Sequence, residues 1–198
     1  AIFSRTNLEG ANLSKARLDE ADFQLANLEG ANLSNARLYQ ARFVGANLRQ
    51  ADFNRVRARE GRFDRARAEG ARFGAALLSK ATFYAASLSQ SDFSGARIDL
   101  ASFEEADLFG ARLVDLKGES AIFTSAILED VSLQGSQLPR ALFQQARLLG
   151  ADLRDTDLTR ANLVGADLTD VEINGAILDN ASWIDRRRCR PGSVGECR

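Results

Sequence analysis

Two periodicities in this 198-residue sequence predict an all-β solenoid, a rod made of stacked coils. The first has a period of five. In "ANLEGANLSNARLYQARF", residues 26 to 43, a small residue returns at every fifth position with a large apolar residue two places after it. Helices repeat about every 3.6 residues and strands every 2.0, so neither element by itself accounts for the pattern. The second period is twenty: Phe3, Phe23, Phe43, Phe63, Phe83, Phe103, Phe123 and Phe143 recur at that spacing, and Trp183 falls on the same column. Four five-residue units per coil would stack these aromatics directly over one another.

Taken unit by unit, the large residue marks a centre that runs from Phe3, Leu8, Leu13, Leu18 and Phe23 to Leu178 and Trp183 without one insertion. That makes thirty-seven consecutive units over residues 1–183. Ala58, Ala68 and Gly118 are the only centres that are not large and apolar. The first position of each unit, two before the centre, is small almost throughout, with Val56, Leu116, Val131 and Val171 the largest exceptions.

Units such as "ANLEG", "ANLSN", "ADFNR", "ADLRD", "ANLVG" and "ADLTD" carry Ala, then Asp or Asn, then Leu or Phe, then two mostly polar residues. In this the chain resembles the pentapeptide repeat family. The resemblance implies a right-handed quadrilateral parallel β-helix, in which each unit forms one side of a square coil and its first and third residues point inward. Packing logic agrees: one large and one small inward residue per side fill a narrow tube, and the other three positions face water. At twenty residues per coil, residues 1–183 make about nine coils, a rod of roughly 45 Å at the inter-strand spacing of about 4.8 Å.

Phe53, Phe73 and Phe93 form a second, shorter column ten residues out of phase with the first. Where both columns carry Phe, at Phe53 and Phe63, the remaining centres are Ala58 and Ala68. These small centres are read as volume compensation, since protein interiors tolerate little overfilling.

Solenoid ends expose unpaired backbone and call for caps. Residues 184–198, "IDRRRCRPGSVGECR", leave the repeat and are assigned as a C-terminal cap. Cys189 and Cys197 both lie in it, separated by a Pro-Gly turn and a second Gly, and are expected to form a disulfide. That bond would place the protein in the periplasm or an otherwise exported compartment; two reduced thiols in a cytoplasmic protein are the alternative. No matching N-terminal cap is visible, so the first coil is expected to meet a preceding segment or another molecule, which makes the protein a monomer or an end-to-end homodimer. No apolar run approaches the roughly 20 residues of a membrane span.

Catalytic signatures are scarce. With no His, Ser-His-Asp and Cys-His arrangements are excluded, and two Cys cannot furnish a four-ligand zinc site. The Gly-Gly-x-Gly-x-Asp pattern of calcium-binding β-helices is missing too. A protein without catalytic residues, metal or cofactor is therefore expected.

Charge differs by side. Numbering the sides by the columns of Phe3, Leu8, Leu13 and Leu18, side two is the most acidic, with Glu9, Glu29, Glu69, Asp107, Glu129, Asp130, Asp167 and Asp170 against three Arg. Side four instead aligns Arg17, Arg37, Arg57, Arg97 and Lys117 in the position before the centre, a candidate partner surface. Its bland reading is a solvated face, in which acids two residues on, such as Asp19, Asp99 and Glu119, pair locally with Arg17, Arg97 and Lys117. Between residues 42 and 72, nine Arg face only four acids. Nucleic-acid binding is not expected, because the chain is not basic, with a net charge of −1, and has no aromatics between its cations.

Some members of the resembled family inhibit or protect DNA gyrase by presenting a DNA-like acidic rod. Duplex DNA carries about one charge per 1.7 Å, so a rod of roughly 45 Å would need on the order of 26 net negatives to copy it. Only side two approaches a single acidic strand, and the loop insertions of the gyrase-protecting relatives are absent. The expected function is therefore a rigid protein-binding or scaffolding surface with an unknown partner, with a topoisomerase-directed DNA mimic as the alternative.

Overall fold

The computed structural model describes all 198 residues, Ala1–Arg198, as a β-helix solenoid without any α-helix. No helix is long and apolar enough to cross a membrane. Each five-residue unit builds the same local structure. The centre donates its N–H to the next coil, as Phe23 does to the Arg42 carbonyl at 2.7 Å, and the residue before it donates to the previous coil, as Asp22 does to Ala1 at 2.9 Å. Partners therefore lie about one twenty-residue coil apart, and the ladder runs continuously along the rod.

A turn closes every side. The Ala26 N–H bonds the Phe23 carbonyl at 3.0 Å, and Leu25, third residue of that turn, has φ 57°. Every fifth residue from Arg5 to Asn180 shares this left-handed conformation at the third position of its turn. Such backbone costs a side-chain-bearing residue on the order of 1 kcal/mol. It explains why Gly recurs at this position, as at Gly70 and Gly150, and why continuous packing elsewhere must hold residues such as Leu25 and Leu100 there.

The first and third positions fill the core. Phe23 stacks on Phe43 with centroids 4.8 Å apart, and the series continues through Phe63, Phe83 and Phe103 to Phe123 and Phe143. Phe3 extends the stack below Phe23. Phe53, Phe73 and Phe93 form their own stack and meet the first edge-to-face, for instance Phe53 on Phe63 at 5.8 Å. Both geometries suit the ring quadrupole. Ala58 and Ala68 are buried beside this double column, while Trp183 is only partly buried at the upper end.

One unit exchanges its large and small residues. At Gly118 an added Cβ would stand 2.7 Å from Ile98 Cγ1 and 3.0 Å from Leu138 Cδ2, so no side chain fits the centre. Leu116, two residues earlier, is fully buried and supplies the missing volume from the first position. The two irregularities of this unit are thus a single packing solution.

The C-terminal segment folds back over part of the last coil. Trp183 donates to Arg187 at 2.8 Å, Cys189 to Ala181 at 2.9 Å, Leu178 to Ser193 at 2.9 Å and Gly195 to Ala176 at 2.9 Å. Cys189 and Cys197 form a disulfide with Cα atoms 4.8 Å apart. Its bonds to the coil lie on sides four and one. On sides two and three the same coil leaves Leu168, Val171 and Ile173 partly exposed.

Candidate interaction surfaces

The outward side chains come from the second, fourth and fifth positions of each unit, and the second and fourth project from the same face of a side. On side four, Arg17, Arg37 and Arg57 sit on successive coils, then Leu77 interrupts the column before Arg97 and Lys117. Leu77 is 39% exposed and divides the stripe into two halves of different character.

In the upper half the cations have acids among them. Arg97 pairs with Asp99 at 3.2 Å, and a small groove there is lined by Arg97, Lys117, Asp99 and Glu119. Glu119 pairs not with Lys117 but with Arg140 one coil above, at 2.6 Å. Asp19 likewise pairs with Arg37 at 3.0 Å and not with Arg17. Asp19 accepts the Tyr39 N–H from the coil above, which turns its carboxylate toward Arg37, whereas Asp99, which accepts the Glu119 N–H in the same way, still meets Arg97 on its own coil. Ion pairing on side four is therefore partly between coils, where reading along the chain predicts neighbours.

The lower half is left cationic. Lys15, Arg17, Arg55 and Arg57 make no salt bridge, and Arg37 has only Asp19. Two adjoining grooves of about 450 Å³ and 460 Å³ follow the corner between sides three and four, and Asn35, Arg55 and Ala75 line both. No acidic residue lines either groove.

Side two keeps its acids outward. Asn7, Asn27 and Asn47 form an amide ladder, with Asn47 Nδ2 2.9 Å from Asn27 Oδ1, and the same amides bond Glu9 and Glu29. Arg49 neutralises Glu69 at 3.1 Å and Arg147 pairs with Glu129. Asp167 is held below its ordinary carboxyl range by the Thr169 hydroxyl at 2.6 Å and the Thr169 N–H at 3.0 Å. On side three, Asp52 and Arg72 join adjacent coils at 3.1 Å, and Arg154 grips Asp152 and depresses its pKa. At the end of side four, hydrogen bonding from Gln40 lowers the Glu60 pKa, and on side one Tyr84 is raised because its hydroxyl is bonded to Glu105.

No group of three or more acidic or cysteine side chains converges as a metal site would require. All four depressions on the surface are open grooves lined mainly by polar residues. The column Asp52, Arg72, Asp92, Arg112 already places opposite charges on neighbouring coils of side three, and Asp52 pairs with Arg72 as that reading expects; two features do escape a reading along the chain, the left-handed fifth position and the pairing of Asp19 and Glu119 with the coil above. Recurrent Gly at the fifth position was the available signal for the first; the second depends on which way each carboxylate turns.

Comparison with known proteins places these features. The description "Pentapeptide repeats" matches in eight copies, over residues 1–38, 36–74, 76–115 and 146–182. Among solved structures, the chain is 28% identical to HetL, a pentapeptide repeat protein involved in heterocyst differentiation regulation from the cyanobacterium Nostoc sp. strain PCC 7120, over 93% of this chain and 92% of that one, with a TM-score of 0.40. QnrB1, a plasmid-mediated fluoroquinolone resistance protein, is 16% identical over 86% of this chain and 92% of its own, with a TM-score of 0.58. A pentapeptide repeat protein from the Arabidopsis thaliana thylakoid lumen is 29% identical over 51% of this chain and 67% of its own, at a TM-score of 0.41. None of the curated proteins compared matches significantly. With its repeat matched over most of its length and the five-residue unit built the same way from end to end, the chain belongs to the pentapeptide repeat family.

Proposed function

We propose that this protein is a non-catalytic, rigid, right-handed rod of about nine coils that serves as a binding or scaffolding surface for another protein. The observation that carries this reading is the uninterrupted outward lattice: second, fourth and fifth positions repeat along every side with no loop insertion. Enzymes use enclosed, largely apolar pockets, whereas every depression here is open and polar. In this reading residues 1–183 are the solenoid and residues 184–198 its cap, and the disulfide supports placement in the periplasm or another exported compartment, with the cytoplasm as the alternative. The protein acts as a monomer or as an end-to-end homodimer.

Photocrosslinking tests it, with one outward residue per side replaced by a crosslinkable amino acid in the source cell. A stoichiometric protein adduct from at least one side is expected, and no adduct from any side overturns the scaffold. A second reading, a DNA mimic directed at a type II topoisomerase, is favoured by side two alone, where Asp107, Asp130, Asp167 and Asp170 form no salt bridge. Titration into a gyrase supercoiling assay separates the two. Inhibition or protection at stoichiometric concentration would put the mimic first.

A further inference from the structure

The lower half of the cationic stripe differs from the rest of the surface in what it leaves unused. Around the corner of sides three and four, Lys15, Arg55, Arg37 and Arg57 line one groove, and only Arg37 has a carboxylate partner. Arg37 and Arg57 stand on adjacent coils, about 4.8 Å apart along the rod. Like charges at such spacing repel, and the fold elsewhere relieves this by placing acids between coils, as with Asp52 and Arg72. Here it does not.

The adjoining groove supplies hydrogen-bonding groups: Ser34, Asn54 and Ser94 line it, and the Asn54 side chain makes no hydrogen bond within the protein. Gly74 forms its floor. This residue is at the fourth position, where φ is not positive, so the turn does not demand glycine. A Cβ at position 74 would come 2.7 Å from Asn54 Oδ1, so the missing side chain is what leaves the groove open. Ala75 and Leu77 give the upper end an apolar wall.

We propose that this corner groove binds an extended acidic peptide segment of a partner protein, with carboxylates on Arg55, Arg57 and Lys15 and an apolar residue against Leu77. The proposal rests on the scaffold reading and names its working surface. Arg matches carboxylates through paired N–H donors, and Ser and Asn serve the peptide backbone. From Lys15 to Ser94 the groove spans four coil steps, roughly 19 Å, the length of about six extended residues. Nucleic acid fits less well, because no aromatic residue lines either groove to stack a base and the chain carries a net charge of −1.

Fluorescence anisotropy with a fluorescein-labelled peptide of five glutamates followed by two leucines tests the assignment. A single-stranded oligonucleotide of seven nucleotides serves as competitor. Binding that weakens with salt is expected, and Arg55→Glu combined with Arg57→Glu should reduce affinity about tenfold or more. Gly74→Gln should weaken it without altering charge, whereas Arg160→Glu, near the far end of side four and outside both grooves, should leave it unchanged. The milder pair Arg55→Gln and Arg57→Gln is measured alongside, with thermal melts to establish that each variant is folded. Absent peptide binding, binding indifferent to the Arg55 and Arg57 changes, or tighter binding of the oligonucleotide overturns the proposal. If crosslinks form from another side while this groove stays empty, the scaffold stands and only the groove assignment fails.

Discussion

The buried hydroxyl of Ser136 accepts the backbone N–H of Leu116 at 3.0 Å and donates to the Leu113 carbonyl at 2.6 Å. In regular units the first-position N–H bonds the preceding centre's carbonyl directly, as Ala26 does with Phe23. Leu116 makes no such bond, and Ser136, one coil above, bridges the gap. Ser136→Ala should therefore cost about 1–3 kcal/mol, because it strands a buried donor and acceptor. Urea denaturation decides it, and a loss no larger than that of the outward change Ser89→Ala would remove the bridge's structural role.

The exchanged unit makes a sharper prediction. Leu116→Ala alone opens a cavity worth about 2–5 kcal/mol. Gly118→Leu alone collides with Ile98 and Leu138 and should cost about 1–3 kcal/mol or more. Together they restore the ordinary arrangement of small first residue and large centre. The double variant should then lose less than the sum by about 0.5–3 kcal/mol. Strict additivity in a double-mutant cycle would mean that the two positions do not share one volume.

Phe83 lies in mid-rod, stacked between Phe63 at 4.7 Å and Phe103 at 4.7 Å and edge-on to Phe73 and Phe93. Phe83→Ala should cost about 3–5 kcal/mol, whereas Ser89→Ala should stay within about 0.5 kcal/mol. Equal and small losses in chemical denaturation would refute the inward placement of the column.

The disulfide closes a loop with a sequence separation of 8. Chain-entropy arguments give it about 2–3 kcal/mol of stabilisation of the end it fastens. Intact mass after alkylation under denaturing conditions should show no alkyl groups without reductant and two with it. Two alkyl groups taken up by the oxidatively purified protein without reduction would establish free thiols and remove the support for an exported location.

Acid should loosen the rod through particular carboxylates. Arg154 bonds Asp152 at 2.9 and 2.8 Å and lowers its pKa, and Thr169 does the same for Asp167. A carboxyl whose folded pKa lies below its unfolded value, about 3.9 for Asp, adds stability that is present at higher pH and fades as pH falls through the folded value. The urea midpoint should thus decline below about pH 4. Asp152→Asn should flatten that decline, and an unchanged acid profile in this variant would assign the loss to other groups.

Much of this protein is local, which is why its sequence is so legible. The five-residue alternation from Phe3 to Trp183 requires two inward positions per unit, and the twenty-residue return of Phe determines which units lie above one another, because an inward stripe must stay buried coil after coil. Arg17, Arg37, Arg57, Arg97 and Lys117 were equally visible as a column. What the tertiary structure decided is how that column is neutralised. Asp19 is turned toward the coil above by the Tyr39 N–H, so it reaches Arg37 and leaves Arg17 without it. The exchange of Leu116 and Gly118, with Ser136 beneath its logic, also arose only in three dimensions. A core packs by volume and by satisfied hydrogen bonds, and both depend on neighbours twenty residues away whose side-chain directions a linear pattern does not contain.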